Sequence, residues 1–355
     1  MGCAFTPVLA LCLFLAASAT AFATNFTCNT SDTCQSFAGY SPINSTTLSA
    51  IKTLFAVKSF HSLLAANSLS LSTSSDYPIP NGTVVRVPFR CRCSDGRALS
   101  SNRLPVYTVQ KGDGLDAIAR YKFSGLVTSQ EIADANNIPD PDVISVGQDL
   151  WIPLPCSCDD VDGYPTVHYV HKVVSGSSVE SIAADFGTTP ETLMRINGIQ
   201  DPKTLQAEAI LDVPLRACNS TIEKTAEDGS LRVPNGSYTL TAGNCVQCSC
   251  SSTTWALQCG PAQGVTNPTR CPPVQCKGGS NLFLGNTTGG NGCEATTCSY
   301  AGYASNGTIL TALIRPPTCS SGAPASSPPG NSAPALEGRS WRWVSLGFLC
   351  IVVFW

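Results

Sequence analysis

Val106-Tyr107-Thr108-Val109-Gln110-Lys111-Gly112-Asp113-Gly114-Leu115-Asp116-Ala117-Ile118-Ala119 is the stretch on which the fold turns. Val106 to Val109 is a short strand signal, β-branched and aromatic. Gln110 to Gly114 breaks it as a tight loop. Leu115, Ile118 and Ala119 then follow at helical spacing, with Asp113 placed to cap the helix. Thr128-Ser129-Gln130-Glu131 has the form of a capping box for a second helix, with Ile132 and Ala135 expected to face inward. Asn136 to Pro141 ends that helix, because proline cannot continue it. Leu150-Trp151-Ile152 reads as the closing strand. The unit is strand, helix, helix, strand.

The same order occurs on both sides. Val173-Val174-Ser175-Gly176-Ser177 opens a later unit, with Val179, Ile182, Ala183 and Phe186 as its helix face. Ser177 with Glu180 is the expected capping box there, and Thr188 with Glu191 the expected cap of the next helix. Asn197-Gly198-Ile199-Gln200-Asp201-Pro202 matches Asn136 to Pro141, and Ile210 to Val213 closes the unit. Upstream, Thr47 to Ile51 parallels Gly114 to Ile118, and Ala66-Asn67-Ser68-Leu69 parallels Ala135 to Ile138. Val84 to Val87 closes this degenerate unit, whose first strand is hard to see. The three closing prolines, Pro88, Pro153 and Pro214, are 65 and 61 residues apart. A fixed period of this kind marks a repeat architecture.

The ends and the cysteines point to the secretory route. Residues 1–23 are uncharged, with an apolar run from Val8 to Ala17 and a small-x-small site at Ala21-Phe22-Ala23, the pattern of a signal peptide. Residues 320–331 form a Ser/Pro/Gly-rich stalk. Asn331-Ser332-Ala333, a spacer and the apolar run Val344 to Trp355 have the order of a glycosylphosphatidylinositol (GPI) signal, with Asn331 the favoured attachment residue and 332–355 the segment removed. A short membrane-spanning tail is the competing reading. Sixteen of the 19 cysteines remain when Cys3, Cys12 and Cys350 are set aside. In an oxidising compartment these suit disulfides. Cys245-x-x-Cys248-x-Cys250 has zinc-ligand spacing, but no histidine lies near, and disulfides are preferred. Sequons stand at Asn25, Asn29, Asn44, Asn81, Asn219, Asn235, Asn286 and Asn306.

Charge narrows the ligand. Charged residues make up 13% of the chain and the net charge is -3. No basic run is long enough to track a phosphate backbone, which argues against nucleic acid. A neutral ligand, one that needs no basic cluster, fits better.

The repeated residues resemble LysM domains. The middle unit supplies Tyr107, Val109, Gly112, Asp113, Leu115, Ile118, Ala119, Asn136, Ile138, Gly147, Leu150, Ile152 and Pro153 of that family's pattern, and departs at Gly114, where Thr is usual. The third unit departs more, with His171, Ser177 and Glu208 at pattern positions. Three such units separated by Cys-x-Cys pairs, a Cys-rich region and a GPI signal resemble plant LysM domain-containing GPI-anchored proteins, closest to the chitin elicitor-binding protein group. The resemblance implies an α+β chain of three small βααβ LysM domains locked together by disulfides. The expected bounds are 38–90, 106–154 and 169–216. A Cys-rich region at 218–319, with no fold assigned, follows them. It also implies the pairs Cys28–Cys93, Cys34–Cys158 and Cys91–Cys156. By spacing alone, six cysteines allow 15 connectivities.

The resemblance further implies binding of β-1,4-linked N-acetylglucosamine oligomers, mainly by the second unit. Two loops would hold the sugar: Gln110, Lys111, Gly112, Asp113, Gly114 and Leu115 before the first helix, and Asn137, Ile138, Pro139, Asp140 and Ile144 after the second. From the residues themselves, Gly112 and Gly114 allow close backbone approach to a sugar, and Ile138, Pro139 and Ile144 offer an apolar seat for an N-acetyl group. Packing is the competing reading of Ile138 and Ile144. The implied partners are chitin oligosaccharide and a LysM receptor-like kinase as co-receptor, with two copies able to share a long glycan at the outer face of the plasma membrane. No cofactor is implied. Peptidoglycan recognition and a structural wall-linking role are the alternatives. Hydrolysis would need two carboxylates roughly 5 to 9.5 Å apart. Asp113, Asp116 and Asp140 read better as caps and turn residues, and His168 and His171 as surface positions, so no enzyme is expected.

Overall fold

The computed structural model describes residues 26–29, 33–94, 96–218, 222–263, 271–279, 281–288 and 295–315. The expected signal peptide, stalk, attachment residue Asn331 and removed tail lie outside the described residues, as do Asn25 and Asn219.

Three βααβ units are present. The first runs β1 (Thr33–Tyr40), β2 (Thr46–Thr47), α1 (Leu48–Leu54), α2 (Phe60–Ala66), β3 (Pro78–Ile79) and β4 (Val85–Ser94). After β5 (Arg97–Ser100), the second runs β6 (Val106–Thr108), α3 (Leu115–Ala117), α4 (Ser129–Ala135) and β7 (Asp149–Trp151). A π-helical segment, Ile118–Lys122, directly continues α3. The third runs β8 (Thr166–Lys172), α5 (Val179–Phe186), α6 (Pro190–Ile196) and β9 (Ile210–Cys218).

The helices start where the local chemistry allows, at positions shifted from several of those expected. Thr128 and Glu131 form the expected capping box of α4. Asp113 does not cap α3: Gly114 is the cap, and the Asp113 carboxylate turns back into the loop. In the third unit the box is Ser178 with Ser181, and α6 is capped by Thr189. Each lies one residue beyond the expected cap, where the chain is already extended and a hydroxyl reaches the free N–H groups.

One asparagine device recurs in all three units. Asn136, at the end of α4, donates to Ile132 O and Trp151 O at 2.8 and 2.7 Å and accepts from Trp151 N at 2.9 Å. Asn67 bonds Leu63 O and both backbone groups of Arg86 in the same way. Asn197 does so with Leu193 O and Asp212. A side-chain amide mimics a peptide group here, so each second helix is pinned to its closing strand.

The units share cores. Residues of the first and second units form a single apolar cluster, in which Phe55 meets Phe123 edge-on at 5.4 Å. Phe37 and Ala66 join the core of the third unit. With β10 (Val233–Pro234), a six-stranded sheet has the order β10-β9-β8-β1-β4-β5. Its β1–β8 contact is parallel, pairing Phe37 with Tyr169 and Ala38 with Val170. The first and third units are therefore joined by backbone pairing. At that seam a Cβ on Gly39 would collide with the Tyr169 hydroxyl.

Disulfides tie the second unit to this body. Cys34 bonds Cys158 and Cys91 bonds Cys156. The expected Cys28–Cys93 bond is absent. The two residues are buried thiols in the same cysteine cluster. Burial first, then the Cys93 thiol beside it, push the Cys28 thiol up to about 12.

The Cys-rich region folds as small sheets. β11 (Tyr238–Thr241), β12 (Val246–Cys250) and β13 (Leu257–Pro261) make one, and β14 (Thr297–Tyr303) with β15 (Ile309–Ile314) another. Cys218–Cys250, Cys245–Cys271, Cys248–Cys259 and Cys276–Cys298 staple it. The Cys245, Cys248 and Cys250 sulfurs are thus all consumed in disulfides, which leaves no thiolate there for zinc. Asp228 anchors the interior, accepting from Thr241 Oγ1 and Tyr300 Oη at 2.6 Å each. The region docks on the repeats through Tyr238 Oη to Leu69 O, and through Arg216, stacked between the rings of Tyr164 and Trp255 at 3.8 and 3.9 Å.

Candidate ligand-binding site

The second unit presents two loops whose ends meet. β6 pairs with β7, and Val109 extends the pairing by donating to Gln148 O and accepting from Gly147 N, each at 2.9 Å. Gln110 opens the first loop directly after this point, and Ile144 closes the second loop just before it. The strands therefore hold the two segments at one end of the unit.

The first loop is braced from within. Asp113 Oδ2 accepts from Gln110 N at 2.8 Å and from Tyr107 Oη at 2.7 Å, while Asp113 N donates to Gln110 O at 3.1 Å. Burial, and then the Asp113 carboxylate, raise the Tyr107 hydroxyl well above its ordinary pKa, so it stays a donor. Gly112 has φ +89, a conformation that L side chains rarely adopt. Gln110, Lys111, Gly112 and Gly114 are exposed, whereas Leu115 is buried in the core. Of the six residues expected on this loop, Leu115 thus serves packing and Asp113 serves loop shape.

The second loop begins with Asn137 in the left-handed region at φ +55. Ile138 N then donates to Ala133 O at 2.9 Å, closing the helix end. Asp140 caps the next turn through Asp142 N at 3.0 Å. Asn137, Pro139 and Asp140 are exposed. Ile138 and Ile144 are half-buried and pack on the core, so each keeps part of its surface for a ligand. Val143, unnamed in the sequence reading, is 66% exposed on the same loop. Its signal was its place between Pro141 and Ile144, an apolar side chain in a turn. The arrangement is an open surface with backbone amides at its glycines and aliphatic groups opposite, flanked by the exposed Lys111 on one loop and Asp140 and Asp142 on the other.

The third unit lacks this bracing. No carboxylate stands at Ser177, and Gly176 alone keeps the turn, at φ +87. Its histidines are not at the surface. His168 is 2% exposed, with Nδ1 at 2.8 Å from the Asp212 carboxylate and Nε2 at 2.8 Å from Asp159 O. Burial disfavours its charge, but Asp212 outweighs that and raises its pKa. His171 is half-buried between Tyr169 and Phe186, and burial lowers it to about 4. Strand β8 lies inside the sheet, between β9 and β1, and the partners on its faces, Asp212 and Asp159 at His168, Tyr169 and Phe186 at His171, cover the rings. Among the described sequons, Asn29, Asn44, Asn81, Asn235, Asn286 and Asn306 are exposed.

Comparison with known proteins follows the same units. The LysM domain family matches residues 107–153 and 171–214. The chain is 46% identical over 295 residues to the chitin elicitor-binding protein of Oryza sativa subsp. japonica, covering 82% of this chain and 81% of that protein. It is 44% identical over 335 residues to LysM domain-containing GPI-anchored protein 2 of Arabidopsis thaliana, covering 93% and 91%. Among solved structures, the ectodomain of a receptor like kinase has 25% identity and a TM-score of 0.44, over 53% of this chain and 94% of that one. Among the described residues no helix is long and apolar enough to cross a membrane.

Proposed function

The chain belongs to the plant family of LysM domain-containing GPI-anchored proteins, and from that premise we propose that it binds chitin oligosaccharides at the cell surface, mainly through its second LysM unit. The observation that carries this is the pair of exposed loops at 110–115 and 137–144, held side by side by β6 and β7 and shaped by Asp113. The relative from Oryza sativa is named for elicitor binding, and another from Arabidopsis thaliana for its GPI anchor. A lipid-anchored chain has no cytoplasmic part, so a LysM receptor-like kinase would carry the signal inward. A binding role suits these carboxylates: Asp113 Oδ2 accepts from Gln110 N and Asp140 Oδ1 from Asp142 N, as loop and turn braces.

The test is titration of long N-acetylchitooligosaccharides into the purified, glycosylated protein. Saturable binding is expected at micromolar ligand or below. Asp113→Ala frees Gln110 N and Tyr107 Oη and should weaken it about tenfold, ~1.4 kcal/mol. Absence of binding by a folded protein, or full affinity in Asp113→Ala, rejects the proposal.

A further inference from the structure

A basic recess lies away from the sugar loops, where the first unit hands over to the second. The stretch 86–103 carries five arginines, at 86, 90, 92, 97 and 103, against one acid, Asp95. They are interspersed with other residues and make no basic run. Four of them stand on the β4–β5 hairpin, whose register sets Arg92 opposite Leu99 and Ser94 opposite Arg97. Arg92, Arg97 and Arg103 line a cavity of about 360 Å³ together with Trp151 and Ser101. That volume falls in the range, on the order of 300–1,000 Å³, of sites for small ligands.

Four features point to an anionic ligand. No carboxylate lines the recess among the described residues, and the three arginines have no ion pair there. Like charges gathered together repel each other, and an anion relieves that. Ser101 is 8% exposed, and its hydroxyl has no hydrogen-bond partner. A buried unpartnered hydroxyl is costly unless something binds it. The indole of Trp151 is fixed, because Nε1 donates to Ser100 Oγ at 3.2 Å, and that oxygen is held by Leu154 N. Arg103 lies over this ring at 5.7 Å.

We propose that this recess binds a carboxylate-bearing sugar, a uronate residue of an acidic glycan. Arginine forks match a carboxylate in two-point geometry. A rigid indole offers an apolar face to the C–H side of a pyranose, and the Ser101 hydroxyl meets a sugar hydroxyl. An acidic peptide would leave the indole and the hydroxyl without this complement. The site is separate from the loops at 110–115 and 137–144, so one molecule holds a neutral and an acidic glycan at once.

The experiment uses the full chain, purified in detergent with its glycans. The probes are an end-labelled galacturonate hexamer, its methyl ester, an N-acetylglucosamine hexamer, a glutamate hexamer and inorganic phosphate. The acid oligomer binds saturably and more weakly as salt rises, while its methyl ester does not bind. Arg97→Gln with Arg103→Gln lowers uronate affinity at least about tenfold, leaving the thermal midpoint and the affinity for the neutral hexamer unchanged. Ser101→Ala lowers it less. Lack of saturable uronate binding overturns the proposal, as does equal binding of the methyl ester or full affinity in the double variant. Tighter binding of the glutamate hexamer also overturns it, in favour of an acidic protein segment, and equal binding of phosphate shows an adventitious anion site only.

Discussion

Asn136 pins the second helix of its unit to the closing strand. Three hydrogen bonds converge on its amide, and removal strands both backbone groups of Trp151. Asn136→Ala should cost about 2–3 kcal/mol, read as a lower midpoint in denaturant unfolding, with Asn197→Ala losing a similar amount. The asparagine was legible as a repeated letter, at 67, 136 and 197, but not as a clamp. Its partners lie 15 to 19 residues away, on a strand whose approach the letters do not specify. Asp113 shows the converse. Its position beside a helix start suggested a cap, yet the loop N–H at Gln110 and the Tyr107 hydroxyl lay closer and took the carboxylate.

Among the elements of the repeats, β1 is one that sequence pattern conceals. Thr33 to Tyr40 shows no alternation because the strand lies inside the sheet, between β8 and β4, with its last five residues all buried. A strand covered on both faces needs small residues where neighbours press close, and Ser36 and Gly39 meet that need. Gly39→Ala should drive a methyl into the Tyr169 ring and destabilise by about 1–3 kcal/mol, measured by thermal or denaturant unfolding. Strand β8 brings a pH dependence. His171 falls from its ordinary 6.5 to about 4 on folding, so between these values the unfolded chain binds the extra proton. Its contribution is complete above pH 6.5 and is lost as pH falls towards 4. His168, raised by Asp212 despite its burial, works in the opposite direction, favouring the fold at low pH and fading as pH rises through its folded pKa. His171→Phe should therefore flatten the acid limb of a plot of melting temperature against pH from 4 to 6.5. An unchanged limb would place the ring in water.

At the scale of the whole molecule, the three units are one body. The first shares its core with the second and its sheet with the third. The Cys91–Cys156 bond closes a separation of 65 residues, and replacing both cysteines by serine should cost about 2–4 kcal/mol in unfolding experiments. Because the loops at 110–115 belong to the second unit alone, chitin-oligomer affinity should survive that change at low temperature, where the fold persists. Local pattern was enough to establish the βααβ repeat, its turns and its two candidate loops, because a helix face, a cap and a glycine turn are interactions among residues a few places apart. Tertiary structure alone decided three things: that β1 and β8 fuse two units into a sheet, that His168 and His171 are covered, and that Arg92, Arg97 and Arg103 meet around Trp151. Each depends on contacts between segments far apart in sequence or on a hairpin register, and spacing along the chain does not encode which faces come together.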